Sequence, residues 1–315
     1  MLNTTENLLK AIELGEDTYL ELKDLRFDGN QVGEPHRNSM ADELAAMANS
    51  LNQAIRSNFD EQAVTFASRD CLSKSLWEKF RTPLSPKDDE EFLLKLKLLT
   101  RDEESNITPS VSGILLATKA PQEFLPNAYI QCVAYNGTER KSNPMYQIDA
   151  KDIFGPLDEQ IISAYKFVKS NTKIRAFKNP GRVDVPQYAP QAVFEAIVNA
   201  VAHRDYSIQS SKIRIHMFSD RLEIFSPGTI PNTMTIESLA LRQASRNELI
   251  ASLLARCAVV DFEEIAGYRS FLMDKRGEGV PIILSESQKL SGRLPEYQLI
   301  DDSELKLTLF AEGGG

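Results

Sequence analysis

Between residues 190 and 228 the hydrophobic period of this chain switches from helical to alternating, and that switch limits the fold more than any other feature. Pro190 suits the first turn of a helix, where its missing N–H would have no partner anyway. Val193, Phe194, Ile197, Val198 and Val201 recur at helical spacing, while Glu195, Asn199 and His203 recur every four residues on another face. A carboxylate, an amide and an imidazole in one stripe are costly beside a core unless they find partners. The runs KIRIHMF and RLEIF follow, joined at Ser219 and Asp220 and stopped by Pro227 and Gly228, which predicts a hairpin ending in a tight turn. A helix with a polar stripe laid on such a sheet predicts a nucleotide pocket.

The chain of 315 residues is long enough for two domains or three small ones, and no apolar run approaches a membrane span. The acidic N-terminal stretch lacks a signal-peptide core, which predicts a cytoplasmic protein. Cys71, Cys132 and Cys257 show no CxxC spacing and read as reduced, buried thiols. A net charge of −9 argues against a generic nucleic-acid binder, and residues 1–60 are themselves negative. Residues 161–183 are the exception, with Lys166, Lys169, Lys173, Arg175, Lys178 and Arg182 and no acidic side chain. That stretch is either a phosphate-facing surface for DNA or RNA or a solvated face balancing acidic neighbours.

The segments EAIVNAVAHRDYS, DRLEIFSPG and RNELIASLL resemble the C-terminal domain of RecG-related proteins labelled as ATP-dependent DNA helicases. That domain is similar to the ATP-binding sandwich of gyrase, Hsp90 and histidine kinases. TPSVSGILLATKAPQEFLPNAYIQCVAYNGT and IFGPLDEQI extend the likeness over roughly residues 90–275. GEDTYLELK and ADELAAMANS resemble the start of a Schlafen-type Alba-like domain, a long part of which is missing here. The resemblance implies an α+β protein with a Bergerat-like sandwich. Its expected parts are a truncated Alba-like segment (1–58), a helical connector (59–104), a mixed region (105–185) and the ATPase-like domain (186–315).

Residue by residue, the resemblance makes Glu195 the carboxylate that activates water and Asn199 the ligand for Mg²⁺ on the phosphates of ATP. His203, Arg204 and Asp205 match an HRD motif at the end of the helix. Ser226 stands where wider relatives place an aspartate for the adenine amino group, ahead of Gly228. Gly277 and Gly279 match a GxG beside the phosphates, and the alternative is a plain loop before a strand at Pro281–Leu284. Residues 107–136 read as strands, with helices expected at 155–170 and 245–257 and a last strand at ELKLTLF. No GxxxxGK[ST] occurs, so a P-loop helicase motor is excluded. Glu16, Glu21 and Lys23 match Schlafen-type ribonucleases, but the third acidic residue falls in the missing segment, and no nuclease activity is expected. The function expected is an ATP-binding regulatory protein in transcription control or defence, in a homo-oligomer or alone. The alternatives are a non-catalytic nucleic-acid-binding module and a degenerate scaffold.

Overall fold

The computed structural model describes residues 27–28, 31–32, 59–140, 146–179, 181–230, 234–241, 245–259, 262–274 and 277–313. The chain divides into two compact units, Met1–Arg56 and Ser57–Gly315. In the first, β1 (Phe27–Asp28) pairs antiparallel with β2 (Gln31–Val32). The helices, the strand and the Alba-like residues Glu16, Glu21 and Lys23 expected there lie outside the described residues.

The second unit opens with the short helices α1 (Lys74–Trp77) and α2 (Asp89–Lys95), the latter capped by the Asp88 carboxylate on the Glu91 N–H. Trp77, Phe80, Phe92 and Leu93 are buried together. A hairpin of β3 (Leu99–Arg101) and β4 (Ile107–Pro109) leads into α3 (Val111–Ala117). This last element corrects the expected strand. The Ser110 hydroxyl caps Gly113 N–H and donates to Lys97 O at 2.6 Å, and a Cβ on Gly113 would meet Leu98 O at 2.1 Å. A local cap and a glycine-tight helix contact thus outweigh the β-branched composition of the segment.

After α3 come β5 (Ile130–Tyr135), β6 (Gln147–Ile153), α4 (Leu157–Asn171), and a separate hairpin of β7 (Ile174–Asn179) and β8 (Gly181–Pro186). The expected central helix is α5 (Pro190–Ala202), with proline in its first turn. The expected hairpin is β9 (Ile213–Met217) and β10 (Arg221–Pro227). Next are α6 (Glu248–Leu254), α7 (Glu263–Ala266), α8 (Gly279–Ser291), β11 (Glu296–Ile300) and β12 (Glu304–Phe310). Helix α8 replaces the strand expected at Pro281–Leu284. Pro281 falls in its first turn, where a missing N–H goes unnoticed, and Gly292 ends it in a left-handed conformation.

Six strands form one mixed sheet in the order β11-β12-β10-β9-β5-β6, parallel at β5–β9 and antiparallel elsewhere. Helices α4 and α8 both pack on α5, and all three pack on this sheet. Ile213, Ile215, Leu222, Ile224, Leu307 and Leu309 meet Phe194, Ile197, Val198 and Val201 there, the alternation and the helical stripe read from sequence. Val133, Tyr135 and Phe218 form a second, smaller cluster, with the Tyr135 and Phe218 rings stacked at 5.0 Å. The architecture is thus α+β, an α/β sandwich. No helix among the described residues is long and apolar enough to cross a membrane.

Candidate functional site

Helix α5 presents its polar stripe to a cleft of about 780 Å³. Glu195, Asn199 and His203 line it from the helix, Ile224, Ser226, Pro227 and Gly228 from β10 and its turn, and Gly277 and Gly279 from the start of α8. Leu305 and Leu307 of β12, Tyr297 of β11 and Met273 give it an apolar wall, while Arg246 and Arg256 add positive charge.

The depth of the stripe differs from end to end. Glu195 is buried, and burial raises its pKa. Arg269 opposes that rise, its Nη1 standing 2.8 Å from Glu195 Oε1 in an ion pair that is buried on both sides. The other carboxylate oxygen lies toward Gly279. A Cβ on Gly279 would lie 3.2 Å from Oε2 and within 3.0–3.2 Å of the Asn199 amide. Glycine at that position brings the N-terminus of α8 against the carboxylate and the amide. His203, at the C-cap of α5, is half-buried, and its imidazole is pushed down to about 4 by desolvation and by the charge of Arg246. It is therefore neutral at physiological pH.

The next residues of the motif turn elsewhere. Arg204 is buried and absent from the cleft wall. It donates to Ser211 O at 2.7 Å and stands over the Tyr206 ring, fixing the loop that leads to β9. Asp205 is buried in an ion pair with Arg246 and accepts from the Ser207 N–H. Its own N–H donates to Pro227 O at 2.8 Å, tying the end of α5 to the end of β10. Arg246 also donates to Thr229 O at 2.7 Å. Gly228 has φ +119°, and a Cβ there would come within 2.8 Å of Asp205 Cβ. The room that glycine leaves is taken up largely by Asp205, besides bordering the cleft. Ser226 donates its hydroxyl to Ala200 O at 2.8 Å and retains lone pairs for a ligand donor.

Sequence reasoning assigned no role to four residues that hold this arrangement. Arg269 carries no signal in its neighbourhood. Arg246 and Asn247 open the RNELIASLL motif, so a signal existed there. The Asn247 amide donates to Ala202 O and Arg204 O, capping the open carbonyls of α5. Asp60 accepts from the Leu249 and Ile250 N–H groups at the start of α6, and burial lifts its carboxyl to about 6 against those two hydrogen bonds. The basic stretch is dispersed by comparison. Lys166 and Lys169 stand over Phe262, Arg175 pairs with Glu312 at 3.1 Å, Lys173 is exposed, and the Lys178 side chain is outside the described set.

Residues 210–309 match the family described as "Putative ATP-dependent DNA helicase recG C-terminal". This segment is similar to that family over about a third of the chain. It covers β9, β10, α6, α7, α8, β11 and nearly all of β12, hence every wall of the cleft except α5 and the helical connector. Among solved structures, the DIP2311 protein from Corynebacterium diphtheriae is similar, with a TM-score of 0.56 at 22% identity. The match covers 80% of this chain and 46% of that one, so the present chain spans about half of its relative, and the likeness is one of fold. A search of curated proteins found no match.

Proposed function

We propose that the cleft binds ATP with Mg²⁺, and that the protein works as a nucleotide-dependent regulator in transcription control or defence rather than as a helicase motor. One observation carries this reading: the Glu195 carboxylate and the Asn199 amide lie side by side against Gly279, at the N-terminus of a thirteen-residue helix that borders a cleft. Free N–H groups and the helix dipole at such a terminus favour phosphate. The cavity volume also lies inside the range of about 300–1,000 Å³ common for small-molecule sites.

The donor set suits magnesium. Asn199 offers one amide oxygen, and among the described residues no group of three or more His, Cys, Asp or Glu could hold a metal ion. Mg²⁺ keeps several waters and takes further ligands from phosphates, so a single protein oxygen is compatible with it. When bound, the ion would neutralise phosphate charge. Glu195 would then act as the base, one oxygen held by Arg269 and the other beside Gly279 at the border of the cleft. Ser226 would contact the base of the nucleotide, more weakly than a carboxylate. The basic stretch gives less support to nucleic-acid binding, since Arg175 is paired and Lys166 and Lys169 rest on Phe262.

Melting temperature measured against ATP and Mg²⁺ tests the reading. Saturation at 100 times Kd should add about 2.7 kcal/mol of stability. Asn199→Ala should abolish the magnesium-dependent part, while Glu195→Gln should bind ATP and lose any turnover. Equal stabilisation of wild type and Asn199→Ala would overturn the assignment of Asn199.

A further inference from the structure

The two edges of the six-stranded sheet are built differently. Edge strand β6 carries Asp149, Lys151 and Asp152, all exposed, and its register slips in a bulge opposite Ala134 and Tyr135. Charges and bulges are the usual means of keeping an edge from pairing. Edge strand β11 has no bulge and a single charge. Its register with β12 is unbroken from Glu296 to Ile300, and its one charge is at the first residue. Tyr297, Leu299 and Ile300 are half-exposed, and among the described residues no backbone hydrogen bond reaches its outer side.

We propose that β11 is a dimerisation edge, pairing antiparallel with β11 of a second copy about a two-fold axis at Gln298. The occupant follows from what flanks the strand. Arg293 precedes it, exposed, over the Phe310 ring and 3.9 Å from Glu296, and Asp301 and Asp302 follow it in an exposed turn. Antiparallel pairing about Gln298 brings each Arg293 beside the other copy's acidic turn, twice by symmetry. A parallel partner would set arginine by arginine and aspartate by aspartate. In the antiparallel register Tyr297 lies across from Leu299, an aromatic–aliphatic pair that stabilises neighbouring strands, and no like charges stand opposite. The two sheets become one, with main-chain hydrogen bonds supplying affinity. This inference does not depend on nucleotide binding.

The experiment is analytical ultracentrifugation of the full chain and three variants. Wild type should dimerise reversibly. Gln298 is exposed and faces Lys306 within its own sheet, so Gln298→Glu suits the monomer yet sets glutamate against glutamate on the axis. It should raise the dimer Kd about fivefold. Arg293→Glu should weaken the dimer as well, and Arg293→Glu with Asp302→Arg should restore it. A wild-type monomer at every concentration overturns the proposal. So does a dimer whose Kd is unmoved by both single variants, or one that the paired exchange leaves as weak as Arg293→Glu.

Discussion

The last two turns of α5 and the residues directly after them are contiguous in sequence and opposite in use. Glu195, Asn199 and His203 face the cleft, while Arg204 and Asp205 turn into the protein and lock the backbone. The first group borders the cleft, with Glu195 paired to Arg269 beneath it. The second is fully committed, with Asp205 joined to Arg246, the Ser207 N–H and Pro227 O. A motif such as HRD can therefore be split by function at a single peptide bond. Its arginine and aspartate set the geometry in which its histidine, one helical turn beyond Asn199, meets the cleft.

The contrast breaks most sharply at Asp205. Asp205→Ala removes the carboxylate that Arg246 pairs with, and removing one member of a buried ion pair costs about 3–5 kcal/mol. Urea unfolding should show that loss, and a variant within 1 kcal/mol of wild type would show that the pair is not a structural pin. Gly228→Ala comes next, since it forces a side chain into φ +119° and against Asp205 Cβ, at about 1–3 kcal/mol. The same unfolding measurement applies. Asn199→Ala should behave in the opposite manner, changing stability by less than about 1 kcal/mol while removing magnesium-dependent ATP binding. Loss of fold without loss of binding selectivity would move Asn199 to the structural side of the comparison.

Two further effects concern pH, and the two groups should oppose each other. Asp60 is lifted to about 6, so the stability it contributes is fully present below its unfolded value near 3.8 and is lost as pH rises through 6. His203 is depressed to about 4, so its contribution is present above its unfolded value near 6.5 and is lost as pH falls through 4. Relative to Asp60→Asn, wild type should lose stability between pH 4 and 6. Relative to His203→Gln, it should gain stability between pH 4 and 6.5. Denaturant midpoints across that window check both signs, and parallel curves for wild type and either variant would remove that group from the account.

Periodicity made α5, the β9–β10 hairpin, α4 and β12 legible, because each buries a face whose pattern repeats within one element. Local context reversed two readings. Ser110 and Gly113 turn a β-branched run into α3, and glycines at 277 and 279 start a helix where a loop and a strand were expected. The cleft-facing stripe could be read because i, i+4 spacing is a property of one helix. Its supports could not. Arg269 meets Glu195 from 74 positions away, and Asp60 meets Leu249 across 189, distances at which no local pattern survives. Arg246 and Asn247 lay within a recognised segment, yet nothing nearby in sequence reveals that they reach back to Asp205 and to the end of α5.

Strand β12 is the last in the chain, yet it lies inside the sheet, between β10 and β11. During synthesis, β10 must therefore wait for residues made about 80 positions later before one of its two ladders can form. Long-range pairings of this kind slow folding, because the loop must close before any contact rewards it. A ribosome-bound chain that has finished β10 but not β12 presents an apolar strand, Leu222 and Ile224 included, with an open side. Chaperone demand should peak over that interval and end when Glu304–Phe310 emerges to fill the gap.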